Sequence, residues 1–228
     1  MKRQYFLVID TETTLDHTVL DFAAVVCDRR GKIYHSCAVV VKDVELSRLY
    51  HNKDSGFFNS ANLERRISKY NDMIADGRRM VASVAAINRW LDKCLEKYNP
   101  MLTAYNLTFD YGKCNNTGII LDKFTNRFCL WNAASSIICH RKPYLRYVLQ
   151  NHLFNCPTPK GNMSFRTDAE AVAGFVTGAL IDEPHTALED ITGFEIPILL
   201  KVISTKDWQS KICNYAWNNF QVKDHYNV

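Results

Sequence analysis

A chain of 228 residues, 47% hydrophobic and 12% aromatic, carries enough apolar side chain for a sizeable core, which excludes a disordered segment and suits one large α/β domain. A net charge of +4 and a pI near 8.6 make it mildly basic, compatible with a polyanionic partner without proving one. No apolar run reaches the length of a membrane span, and Met1-Lys2-Arg3-Gln4 leads into an apolar strand without a signal-peptide pattern, so no membrane is expected and the chain reads as cytoplasmic.

The run Tyr5–Glu12 opens the fold. Phe6-Leu7-Val8-Ile9 suits a strand buried on both faces, over roughly residues 4–11, and it ends in two acids one residue apart, Asp10 and Glu12. Alternation along a strand points both to the same side, where they repel each other. Either a divalent cation with oxygen ligands offsets that cost, or the acids sit in a solvated loop. Leu20–Cys27 and Ile33–Val41 are two further strands, joined at Asp28-Arg29-Arg30-Gly31-Lys32, where Gly31 can take positive φ. The first three strands therefore form an antiparallel meander.

Residues 43–79 are polar and less regular, with a helix around Ser60–Ala75. Phe57-Phe58, Arg65-Arg66 and Arg78-Arg79 read either as core aromatics beside a solvated face or as a stacking wedge and phosphate contacts. Val81–Tyr98 is an amphipathic helix that Asn99-Pro100 ends. Met101–Tyr105 is a short strand, Asn106–Asp110 opens another helix, and Phe124–Trp131 is the fifth strand, parallel to the first. His140–Tyr147 interleaves basic and aromatic residues, and Cys156–Met163 is a loop. Thr167-Asp168-Ala169-Glu170 reads as a capping box opening a helix that Gly178 closes. A long helix follows from about Ala187 to Ile203, with Pro197 as a kink, and Trp208–Phe220 reads as a terminal helix. The organisation expected is one domain over 1–228, with 43–79 as a candidate insertion and 204–228 as a helical extension.

The eight cysteines are scattered without a Cys-x-x-Cys pair and read as reduced, mostly core residues. Cys139, His140, His152 and Cys156 match no common zinc module.

The chemistry-bearing segment is Glu183-Pro184-His185-Thr186-Ala187-Leu188-Glu189-Asp190. Thr186 and Glu189 read as a second capping box, which puts His185 just outside the helix and Asp190 in its first turns. The two positions where an apolar staple often flanks such a box hold His185 and Asp190 instead, a local departure of the kind found at functional sites. With Asp10 and Glu12 at a strand end and Asp110 opening a helix after a neighbouring strand, four carboxylates would converge and could hold two Mg²⁺ or Mn²⁺ ions.

Ile9-Asp10-Thr11-Glu12-Thr13, Ala104-Tyr105-Asn106-Leu107-Thr108-Phe109-Asp110 and His185-Thr186-Ala187-Leu188-Glu189-Asp190 resemble the three motifs of the DEDD exonuclease superfamily. The His five residues before the last Asp resembles the DEDDh subclass, which includes proofreading epsilon subunits, and the chain looks most similar to stand-alone bacterial and phage members. The resemblance covers about Tyr5 to Lys201. A Gly that often follows the first Glu is replaced by Thr13-Thr14-Leu15-Asp16, which puts the shape of that loop in question.

The resemblance implies an RNase H-like α/β fold, a mixed five-stranded sheet flanked by helices. It implies a metal-dependent 3′–5′ exonuclease that hydrolyses DNA from the 3′ end to nucleoside 5′-monophosphates, in a bacterial or phage-infected host cytoplasm. By the same resemblance Asp10, Glu12 and Asp190 hold the ion carrying the attacking water, Asp10 bridges to a second ion supported by Asp110, and His185 is the general base. Asn106 shapes the site, while Thr13 and Phe109 touch the terminal nucleotide, Phe109 being equally readable as core. The partner implied is a single-stranded DNA 3′ end. An exoribonuclease of the same subclass and a polymerase proofreading subunit are the alternatives, the latter without a Pro/Gly-rich tether in this sequence. A non-catalytic binding module would have lost a ligand, and none is lost.

Overall fold

The computed structural model describes residues 3–14, 16–45, 63–157, 161–180, 182–215 and 220–222. Strand β1 (Tyr5–Thr13) carries Phe6, Leu7, Val8 and Ile9 without solvent exposure. Phe6 and Val8 enter one hydrophobic core and Leu7 and Ile9 the other, as a strand covered on both faces requires. Strands β2 (Val19–Asp28) and β3 (Ile33–Val41) complete the antiparallel meander, with Gly31 at φ 77° in the turn between them.

Helix α1 (Leu63–Ala75) leads to a short strand β4 (Met80–Ala82), then to helix α2 (Val84–Tyr98) and strand β5 (Met101–Ala104). Helix α3 (Leu107–Thr117) and strand β6 (Arg127–Cys129) follow. The sheet order is β4-β3-β2-β1-β5-β6, with β5 parallel to β1, β6 parallel to β5 and β4 parallel to β3. A meander continued by parallel strands and flanked by helices is the expected RNase H-like α/β fold, with six strands instead of five. The extra strand takes residues assigned from sequence to the start of α2. Ser83 stops the helix from extending upstream, because its side chain accepts from the Ala86 N–H as an N-cap.

Beyond the sheet come helix α4 (Leu130–Ala134), continued by a π segment Ser135–Cys139, then α5 (Lys142–Gln150) and α6 (Ala169–Thr177). The N-cap of α6 is Asp168, which accepts from Ala171 N–H at 2.9 Å, so the carboxylate takes the role expected of Thr167. Gly178 closes that helix at φ 76°. The last long helix is composite: α7 (Ala187–Asp190), a π segment Ile191–Glu195 and α8 (Ile196–Ile203), with Pro197 at the α8 start. The ring removes one N–H from the ladder at that seam.

Of the terminal helix expected over Trp208–Phe220, residues 208–211 form a 3₁₀ turn and 212–215 are not helical, while 216–219 lie outside the described residues. Trp208 is buried against Phe6 and Phe128, with ring centroids 6.3 and 4.8 Å away. Phe220 is buried and its carbonyl accepts from Phe165 N–H at 2.8 Å, so the tail closes on the loop after α5. Phe57-Phe58 and the side chains of Arg65-Arg66 lie outside the described residues. Among the described residues no helix is long and apolar enough to cross a membrane.

The cysteines are all free. Cys27, Cys94, Cys114 and Cys139 are buried, Cys37 and Cys129 half-buried, and Cys156 and Cys213 exposed.

Candidate active site

Asp10 and Glu12 project from the end of β1 on the face covered by α7 and α8, the face that Phe6 and Val8 fill further back. The strand slips register between Glu12 and Thr13, a bulge that leaves Thr13 half-buried at the strand end opposite Val19. Across the sheet, Glu12 stands opposite Asp21 of β2. Like charges in that position destabilise a sheet unless one is neutralised. Arg79 does this: its Nε donates to Asp21 Oδ1 at 2.9 Å and its Nη2 to Asp21 Oδ2 at 3.2 Å. Tyr70 O–H and Ala187 N–H also donate to Asp21 Oδ2, at 3.0 and 3.1 Å. Asp21 is therefore fully engaged, and Glu12 is left facing the third motif.

That motif is built differently from a capping box. Thr186 occupies the N-cap position but makes no side-chain cap bond. Glu189 turns outward to Arg79, with Nη2 to Oε2 at 2.6 Å. Asp190 replaces it, its Oδ2 accepting from Thr186 N–H at 2.8 Å. One carboxylate oxygen thus fixes the loop, and the other, Oδ1, is buried with no hydrogen-bond partner. Upstream, Lys69 of α1 donates from Nζ to the Pro184 carbonyl at 2.7 Å. His185 is exposed and lies in the left-handed region at φ 52°, unusual for a non-glycine residue.

Ligand atoms of Glu12, His185 and Asp190 all lie within 4.8 Å of one another. Asp10 and Asp110 are not in that tight group, but Glu12 and Asp190 are among the charges that act on Asp10, and Glu12 is among those that act on Asp110. Asp110 is buried in the first turn of α3, and its Oδ1 accepts from the Thr11 hydroxyl at 2.7 Å. Burial pushes the Asp110 carboxyl up to about 7 despite the Thr11 bond, with Glu12 adding to the rise. Burial, then the charges of Glu183 and Glu12, push Asp190 up to about 8. Burial also drives Asp10 well above the ordinary carboxylate range, followed by the charges of Glu195, Asp110, Glu12 and Asp190.

Converging carboxylates with orphaned, buried oxygens and an imidazole alongside fit a hard divalent cation such as Mg²⁺ or Mn²⁺. The residues that could hold it are Asp10, Glu12, Asp110 and Asp190.

Asn106 precedes α3 in the left-handed conformation, φ 73°. Its backbone shapes this turn, the carbonyl accepting from Phe109 N–H at 2.8 Å, while its side chain is exposed and makes no cap bond. Phe109 is 45% exposed, which excludes the core alternative, and Lys113 Nζ lies 4.7 Å from its ring centroid. Beside Asn106 opens a cavity of about 540 Å³, lined by Tyr105, Trp131, Thr167, Asp168 and Tyr215 among others.

Sequence reasoning missed Asp21, Arg79, Glu183 and Glu195. A lone acid inside the apolar Val19-Leu20-Asp21-Phe22 run was the available signal for Asp21. The Arg78-Arg79 pair reads from the sequence as a nucleic-acid contact or a solvated face. Arg78 is exposed and pairs with Asp76, but Arg79 is buried in the sheet network.

No protein family's sequence profile matches the chain, and no curated protein matches it in sequence. Among solved structures it is similar in fold to E. coli Exonuclease I in complex with a dA16 oligonucleotide, at 16% identity and a TM-score of 0.45, over 90% of this chain and 42% of that one. The same enzyme with a 5cy-dA13 oligonucleotide gives 14% identity and a TM-score of 0.44, over 90% and 41%. The chain thus spans about two fifths of the length of these structures.

Proposed function

We propose that this chain is a 3′–5′ exonuclease of the DEDDh type that hydrolyses DNA from its 3′ end with divalent metal ions. The observation that carries the reading is the meeting of Glu12, His185 and Asp190 within 4.8 Å, with Asp10 and Asp110 alongside. Bound Mg²⁺ or Mn²⁺ would supply Lewis-acid stabilisation and a more acidic water. Asp10, Glu12 and Asp190 would hold the ion on the water side, and Asp10 with Asp110 the ion on the leaving-group side.

His185 accepts the proton of the attacking water, because an imidazole can carry it near neutral pH. The new P–O bond forms as the bond to the 3′-oxygen of the preceding nucleotide breaks, releasing a nucleoside 5′-monophosphate. The Thr186–Asp190 bond and the Lys69–Pro184 bond hold the His185 loop at both ends, so the base stays near Glu12 and Asp190. The exposed Phe109 ring offers a stacking face to the terminal base, Asn106 lies at the mouth of the adjacent cavity, and Thr13 lies at the strand end beside Glu12.

The test is digestion of 3′-labelled single-stranded DNA with Mg²⁺, Mn²⁺ or EDTA, beside Asp10→Ala and a matched RNA strand. Metal-dependent release of 5′-mononucleotides, lost in Asp10→Ala and faster on DNA, is the expected result. Undiminished activity in Asp10→Ala overturns the reading, and preference for RNA makes the chain an exoribonuclease of the same type.

A further inference from the structure

Glu195 lies in an otherwise apolar stretch, Phe194-Glu195-Ile196-Pro197-Ile198, and is only 2% exposed. Its Oε1 accepts from Tyr105 N–H at 2.9 Å, while its Oε2 is buried and has no hydrogen-bond partner. An unsatisfied buried oxygen of this kind is costly, and more so when charged. Asp190, 3% exposed, presents a second orphaned oxygen, Oδ1, five residues earlier.

In an α-helix, residues five apart are separated by about 140° around the axis and do not share a face. The π segment Ile191–Glu195 changes this, since its i→i+5 bonding brings such residues close to alignment. Among the charged groups acting on Asp10, Glu195 acts most strongly, and Asp110 is the first charged group acting on Glu195. Both carboxylates that carry an orphaned oxygen are thus among the charges that act on Asp10.

We propose that Glu195 is a cation-binding residue, its Oε2 holding with Asp10 one of the site's divalent ions. The inference rests on the metal-dependent reading given above. The two oxygens differ in role: Tyr105 N–H fixes Oε1, and the buried Oε2, without a hydrogen-bond partner, is the one available to the ion.

The test is titration of the metal-stripped full chain with Mn²⁺, followed by calorimetry and by the rise in thermal midpoint at saturating Mn²⁺. Glu195→Gln keeps an acceptor for Tyr105 N–H and the side-chain volume but loses the charge. It should weaken one Mn²⁺ roughly 10–100-fold and shrink the Mn²⁺-induced rise in midpoint. Glu195→Ala should weaken the same ion and serves in place of the Gln variant if that one does not fold. A purely structural Glu195 predicts wild-type Mn²⁺ affinity in the folded variant, and that outcome overturns the inference. If Glu12→Gln loses Mn²⁺ while Glu195→Gln does not, only the role of Glu195 falls; if the wild type binds no Mn²⁺, the metal-dependent reading falls with it.

Discussion

Glu12 and Asp21 face each other across the antiparallel β1–β2 pair, and a buried arginine neutralises Asp21. Arg79, itself 1% exposed, binds Asp21 and reaches on to Glu189 at 2.6 Å. Asp21 in turn accepts from Ala187 N–H, so one buried ion pair joins the sheet to the helix that carries Asp190. Removing one partner of such a pair leaves a bare buried charge. Arg79→Met should therefore destabilise the protein by about 3–5 kcal/mol in urea unfolding, and Arg79→Met with Asp21→Asn should recover part of that loss. An Arg79→Met protein as stable as the wild type would show that the network contributes nothing.

Glu12→Gln is expected to keep the fold and remove the chemistry. The circular dichroism spectrum should be unchanged, while single-turnover nuclease rates fall by roughly 10²-fold or more, equivalent to about 2.7 kcal/mol of transition-state stabilisation. Without metal the variant should melt at or above the wild-type temperature, because one charge has left the repelling cluster.

His185 needs a substitution that tolerates φ 52°. Asn populates the left-handed region readily, so His185→Asn separates chemistry from backbone strain. The expected loss in kcat is about 10²–10⁴-fold with the melting temperature retained, and the slow residual rate should rise with pH as hydroxide replaces the missing base. Activity within about twofold of wild type would remove His185 from the proton transfer.

Asp110 and Asp190, pushed up to about 7 and about 8, bind protons in the folded state that the unfolded chain releases near pH 4. The folded state then holds more protons across that window, so the stability of the metal-free protein falls as pH rises. Their contribution is fully present below about pH 4 and is lost as pH climbs through 7 and 8. Scanning calorimetry in EDTA should show the midpoint falling from pH 5 to 8, and saturating Mg²⁺ should flatten the slope. A midpoint that climbs over that range would contradict the clustering of these acids.

Phe109, 45% exposed, contributes little to the core, so Phe109→Ala should leave stability within about 0.5 kcal/mol. The loss should appear in KM for single-stranded substrate, equivalent to about 1–3 kcal/mol for one lost stacking contact.

What the sequence disclosed depended on how local each signal was. Strand alternation and a continuous apolar run made Asp10 and Glu12 legible as two acids on one side of β1, and both lie half-buried toward the end of that strand. The segment from His185 to Asp190 also disclosed its geometry, but its capping logic was misassigned: Asp190, not Glu189, reaches back to Thr186. The spacing was right, and the competing attraction of Arg79 for Glu189 lies 110 residues away in the chain. Arg79 was illegible for the same reason, since a paired basic dipeptide says nothing of the acid waiting inside the sheet. Strand β4 escaped because three residues carry no period of their own and pair only once β3 is in place. Glu195 escaped because a helical wheel drawn at the α period turns it away from Asp190, and only the π segment turns it back.

Both edges of the sheet are closed by three-residue strands, Met80–Ala82 on one side and Arg127–Cys129 on the other. An exposed edge is a template on which another chain can add a strand, and its danger grows with its length. Among the described residues β4 pairs only with Val39–Val41 of β3, so Ile33–Ala38 keeps an edge that no strand covers, and Met80 is 65% exposed and apolar. Strand β1, which carries Asp10 and Glu12, lies between β2 and β5 and is kept internal, so any edge-to-edge association in concentrated solution should run through Ile33–Ala38 of β3 and leave the catalytic candidates untouched.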